Sequence, residues 1–143
     1  MSSIGAPTGQ TTGHEGKRAD VELRLPADNA FASVLRTTTA GLAARLDFTI
    51  DDIEDLRIAV GEASAMVLPA ATPGSDLTCR FYMGPGSLTV SIGVSVEQPV
   101  EPDYDSFAWQ VLTTLATGAT ADCTDGTFTI SLSMEPGVPG AGI

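Results

Sequence analysis

The chain is short of positive charge. Its 143 residues hold 7 Lys and Arg against 18 Asp and Glu, a formal net charge of −11. Lys17 is the only lysine, and from Asp20 onward the cations are Arg24, Arg36, Arg45, Arg57 and Arg80. Such a chain repels polyanions, which excludes DNA, RNA and anionic membranes as direct partners and favours a basic protein. Acidity of this size also serves solubility alone. Long apolar runs are missing as well, and none approaches the ~20 residues needed to span a bilayer. Met1 to Gly16 is rich in Gly, Ser and Thr and lacks the apolar stretch of a secretory leader. The expectation is a cytoplasmic protein. Cysteine is scarce: Cys79 and Cys123 both fall in strand-like segments. In a reducing compartment they read as buried thiols rather than a disulfide or a metal pair. With no CxxC and a single histidine, His14, near the N-terminus, nothing points to zinc.

What remains is enough for one domain, since 43% of the residues are hydrophobic. The ends, 1–19 and 136–143, are dominated by small residues, Gly, Pro, Ser and Thr, and are expected to be disordered tails around a domain at 20–135. Asp20 to Leu25 alternates charged and apolar residues, a half-buried strand stopped by Pro26. Asp28 is a candidate N-cap for a helix running to about Leu46, with Phe31, Val34, Leu35, Leu42 and Leu46 at three- and four-residue steps. Thr49 and Asp52 resemble a capping box for a second helix, whose first turn carries Asp51, Asp52, Glu54 and Asp55. Ile53, Leu56, Val60, Ala63 and Val67 form its apolar stripe, and Pro69 ends it.

The remainder reads mainly as strand. Leu77 to Met83 and Leu88 to Val96 flank Gly84 to Ser87, a hairpin loop. Glu97 to Ser106 is a polar loop with Pro99 and Pro102, followed by a short helix over Phe107 to Leu115 with Ser106 as its cap. Thr120 to Thr124 and Thr127 to Met134 enclose Asp125-Gly126, a type I′ turn signal. The order βαα-ββ-α-ββ predicts an α/β two-layer sandwich, with three helices on one face of a mixed, mostly antiparallel sheet. Periodicity names no activity.

Two stretches carry a family resemblance. Asp51 to Leu68, with Ala59-Val60-Gly61-Glu62-Ala63 at its centre, resembles the second helix of the GHKL (histidine-kinase-like, Bergerat) ATPases, in particular the RsbW-type serine-kinase anti-sigma family. Asp105 to Leu115 resembles a helix of actinobacterial members of that group, which makes the chain a divergent one. The resemblance implies a protein that sequesters an alternative sigma factor, of stress or developmental type, and so represses transcription. It also implies an anti-anti-sigma partner of STAS type and a homodimer. Glu62 falls where the family places the carboxylate that polarises the nucleophile near the γ-phosphate. The family's magnesium-binding Asn corresponds to Met66, whose thioether suits a hard ion poorly. After the central strand, Glu97 to Asp103 has carboxylates and prolines in place of the family's Asp-x-Gly-x-Gly, and Tyr104 to Trp109 lacks the glycines of the phosphate lid. The expectation is a kinase-like fold with a vestigial Glu62, no cofactor and no ATP turnover. The alternative is an active Mg-ATP-dependent serine/threonine kinase that phosphorylates an anti-anti-sigma factor. A third reading makes the former nucleotide pocket a sensor for another small molecule.

For partner contacts the resemblance points to the first helix, giving Phe31, Ser33 and Arg36 as candidates. Ser33 stands where related kinases carry a sigma-contacting arginine, and Arg36 follows one turn later. Each residue also has a plainer reading. Glu62 lies roughly 140° from the centre of the apolar stripe, where a solvated carboxylate belongs, and Ile58 and Ala65 share that far side. Trp109, a further partner candidate, and Phe107 are two residues apart on one helix, so one packs inward and the other is available to a partner.

Overall fold

A computed structural model describes residues 17–136 of the chain. Residues 1–16 and 137–143, and with them His14 and most of the expected tails, lie outside the described residues. The elements follow the expected order. β1 (Val21–Pro26) leads through a 3-10 turn at Asn29–Phe31 into α1 (Ala32–Arg45), and α2 (Ile50–Val67) follows with a 3-10 turn at Leu68–Ala70. Then come β2 (Asp76–Gly84), β3 (Ser87–Ser95), α3 (Phe107–Leu115), β4 (Gly118–Thr124) and β5 (Thr127–Met134).

Every strand pairing is antiparallel, in the spatial order β1-β2-β3-β5-β4. Among the described residues no strand is parallel to its neighbour, so the sheet is wholly antiparallel and not mixed. Alternation splits the sheet into two faces. Leu77, Cys79 and Phe81 of β2, Leu88, Val90, Ile92 and Val94 of β3, and Phe128, Ile130, Leu132 and Met134 of β5 are buried toward the helices. The opposite face presents hydroxyls and charges, among them Thr78, Arg80, Ser91, Thr129 and Ser131. There Thr89 and Ser133 share a hydrogen bond of 2.9 Å between side-chain oxygens.

α2 lies between α1 and α3 and over β3 and β5. Its buried arc holds the expected Leu56, Val60, Ala63 and Val67, and adds Ala59 and Ser64. The arc is wider than a single stripe because α2 meets helices on both sides as well as the sheet. Burying each Leu or Val contributes roughly 1.5–3 kcal/mol. The buried hydroxyls of α1 and α2 stay inside their own helices: Thr39 donates to the Leu35 carbonyl at 2.8 Å and Ser64 to that of Gly61 at 2.9 Å.

The caps follow the sequence with one change. Thr49 accepts from the Asp52 N–H at 3.1 Å, and Ser106 from that of Trp109 at 3.1 Å. Asp28 caps the 3-10 turn instead of α1, accepting from the Ala30 N–H at 2.9 Å. Phe31, at φ −98° and ψ 4°, then sits between the two helical segments. Two hairpin loops are tight. Gly84 pairs with Ser87, which shortens the expected four-residue loop to Pro85-Gly86, with Gly86 at φ 66°. Asp125 and Gly126 take φ 55° and 75°, the pair of left-handed conformations a type I′ turn requires.

α1 ends in a Schellman motif. The Asp47 N–H bonds to the Ala44 carbonyl at 3.0 Å and the Phe48 N–H to that of Ala43 at 3.1 Å. Phe48 and Ala43 both enter the core cluster. Asp47 takes the left-handed position, φ 64°, that glycine usually fills, and it brings a negative charge to the negative end of α1. Replacing Asp47→Gly is expected to raise stability by about 1 kcal/mol, read as a higher urea midpoint at unchanged slope.

Both cysteines are free. Cys79 on β2 and Cys123 on β4 are separated by β3 and β5, so three strand spacings put them ~14 Å apart, beyond disulfide reach. Burial pushes the Cys79 thiol up to about 12, which leaves it protonated and inert, whereas Cys123 is half-buried. A thiol reagent is expected to label Cys123 in the native protein and Cys79 only after denaturation, as a mass shift per site shows.

Candidate functional site

The residues that the resemblance assigns to a nucleotide site lie on α2, on the 97–106 loop and on α3. Glu62 is half-buried on α2, and among the described residues it makes no ion pair. Met66, one turn later, packs its thioether against the core. Ile58 and Ala65 are exposed on the far side of the helix, as the projection predicts. Gly61, next to Glu62, is where α1 comes close. A methyl group on it would stand 3.6 Å from both Cδ and Nη1 of Arg36. Arg36 is therefore half-buried across α2, while Ser33 is exposed one turn earlier. Phe31 packs against the core, so of the first-helix candidates Ser33 is the one fully open to a partner.

The loop after β3 folds back onto the domain. Val96 and Val100 pack against the core, and the Val100 N–H donates to Cys123 Sγ at 3.3 Å. Glu97, Pro99, Glu101 and Asp103 point outward. At the end of the loop, Asp103 Oδ1 accepts from the Asp105 N–H at 3.0 Å, and the Asp103 carbonyl accepts from Ser106 at 3.2 Å. Trp109 packs inward against the core, and Tyr104 meets its ring edge-on, with centroids 5.1 Å apart and planes at 75°. Of the two aromatic residues on α3, Phe107 is the one left outside, at 78% exposure. Tyr104 was not singled out by the sequence, whose only local signal is an aromatic residue among carboxylates just before a cap.

Among the described residues no group of three or more His, Cys, Asp or Glu is arranged to hold a metal ion. A polar depression of about 150 Å³ lies on the opposite face of the sheet, around Gly93, with Thr78, Arg80, Ser91, Ser95 and Thr129 on its walls. It shares no residue with Glu62, Met66 or the 97–106 loop. No helix among the described residues is long and apolar enough to cross a membrane.

Comparison with known proteins adds similarity in fold and in part of the sequence. No family model matches the chain. In fold it is similar to the crystal structure of the RsbU and RsbW domains of Rv1364c from Mycobacterium tuberculosis, with a TM-score of 0.61 at 16% identity over 80% of this chain and 31% of that one. The two share a fold, in this chain three helices on one face of a five-stranded antiparallel sheet. In sequence it is similar to the serine-protein kinase RsbW of Halalkalibacterium halodurans, 34% identical over 61% of this chain and 52% of that protein. The RsbW of Bacillus velezensis is 46% identical over a shorter stretch, 30% of this chain and 27% of that protein. The chain spans about half the length, or less, of the curated relatives it matches. In sequence over part of its length, and in fold, the chain is similar to these RsbW proteins.

The start of α2 concentrates charge. Asp55 has its carboxyl raised above the ordinary range, first by desolvation and then by Asp52, Asp51 and Glu54 nearby. A carboxyl raised in the folded state binds protons more readily there than in the unfolded chain. It therefore costs stability once pH exceeds its folded pKa, and the cost is absent below the ordinary Asp value. Replacing Asp55→Asn is expected to raise the melting temperature at pH 7, and that gain is expected to shrink toward zero near pH 3.

Proposed function

We propose that this chain is an anti-sigma factor that represses transcription by binding a sigma factor, without ATP turnover. The observation that carries this reading is Met66. It stands where the RsbW-type kinases are expected to hold magnesium through an Asn, and it is packed against the core. A thioether is a poor ligand for magnesium, which takes oxygen donors. The neighbouring loop supports the same view. It has no glycine between Glu97 and Ser106, Pro99 and Pro102 stiffen it, and Val100 ties it to the core and to Cys123. The net charge of −11 suits a DNA-binding, basic partner. Release of the sigma factor then comes from a competing anti-anti-sigma protein of STAS type, not from phosphate transfer. Pairing of two copies and a cytoplasmic, stress-related or developmental role belong to the same proposal.

The second reading, an active serine/threonine kinase, is favoured by Glu62, which is kept at the family's position on α2. Titration with Mg-ATP and Mg-GTP separates the two. The proposal expects no heat and no thermal stabilisation at millimolar nucleotide, together with retention of a sigma factor of the host at moderate salt. Micromolar ATP binding, with phosphate transfer to an anti-anti-sigma protein that Glu62→Ala abolishes, establishes the kinase instead. Failure to retain any sigma factor removes the anti-sigma reading.

A further inference from the structure

Two exposed aromatic residues stand three positions apart where the 97–106 loop enters α3. Phe107 is 78% exposed and Tyr104 53%. The backbone that presents them is fixed. Tyr104 rests edge-on against Trp109, which packs against the core. The turn between them is closed by Asp103, which accepts from the Asp105 and Ser106 N–H groups, and by Ser106, which caps α3. Rings presented from a fixed turn lose little freedom on binding, and such pre-organised aromatic residues dominate the energetics of protein interfaces.

Charge selects the occupant. Glu97, Glu101, Asp103 and Asp105 are all exposed on the same loop, and no Lys or Arg occurs anywhere after Arg80. Helix α3, which begins with Phe107, carries no charged residue of either sign. A second copy of the chain would set carboxylates against carboxylates, and nucleic acid would be repelled. An Arg- or Lys-bearing apolar segment fits both features. Its aliphatic stems and cations lie over the rings, and its charge meets the carboxylates.

We propose that Tyr104 and Phe107, flanked by Glu101 and Asp105, form a docking surface for a basic, apolar segment of a protein partner. This rests on the anti-sigma reading, under which that segment belongs to the bound sigma factor. The surface is separate from the α1 positions, Ser33 and Arg36, to which the family resemblance points.

The test is the affinity of the full chain for the sigma factor it retains, measured by fluorescence anisotropy across a salt series. Phe107→Ala is expected to weaken binding about 30-fold or more. The double reversal Glu101→Lys with Asp105→Lys is expected to weaken it about 10-fold at low salt and to flatten its salt dependence. Ile50→Ala removes an apolar side chain 84% exposed at the start of α2, and it is expected to bind as wild type. Circular dichroism and melting temperature show that each variant is folded. If the wild type binds and both surface variants bind within about 2-fold of it, the docking surface is overturned while the anti-sigma reading stands. If the wild type binds no sigma factor, both fall together.

Discussion

Helix α2 is enclosed on three sides, by α1, by α3 and by the strands β3 and β5 beneath it. Leu56, Ala59, Val60, Ala63 and Val67 are fully buried in that enclosure. The small residues of this run matter as much as the large ones. Ala59, Ala63 and Ser64 let the neighbouring elements approach. A bulkier helix would push α1 away and open the layer. The rest of the fold hangs on this wedge, because α1 and α3 reach the core largely by flanking it.

The same constraint shapes the candidate site. A residue on α2 is committed to the core, to a flank or to solvent by its angle around the helix axis. Glu62 lies beside the exposed face that carries Ile58 and Ala65, and it is partly covered. Met66 is turned inward far enough to pack, and packing suits a thioether better than magnesium does. The loop after β3 completes the picture. Val96 and Val100 draw it onto the core, and the prolines limit the conformations it can take. Its carboxylates and Tyr104 are left outside, next to the exposed ring of Phe107. Where the resemblance expects nucleotide, Met66, Val96 and Val100 thus pack against the core, while aromatic and acidic groups face outward beside them.

Ion pairs play a minor part in holding this together. Arg24 and Arg80 both lie 3.5 Å from Glu22, and Arg57 lies 3.7 Å from Glu54, all with exposed side chains. Exposed pairs of this kind contribute roughly 0–1 kcal/mol. The carboxylate excess therefore acts mainly at longer range, on the choice of partner and the rate of encounter.

Much of the architecture was legible in the residues because it is written in local physics. Ser106 and Thr49 cap their helices since a side-chain oxygen two or three residues ahead satisfies an orphan N–H wherever it occurs. Asp125-Gly126 turns the last hairpin because few residue pairs accept two positive φ angles. The stripe Ile53, Leu56, Val60, Ala63 and Val67 repeats at the helical period, and all of it is buried except Ile53, which is half-buried. Long-range geometry was another matter. Nothing local placed β5 between β3 and β4, and only that order shows Cys79 and Cys123 to be far apart. Asp47, a non-glycine residue in a Schellman motif, left no local signal. On α3 the sequence narrowed the choice to one aromatic inward and one outward, and only packing against the core decided that Trp109 is in and Phe107 out. Tyr104 and Val100 sit in an irregular loop, where no period exists to read, so their positions came from the tertiary fold alone.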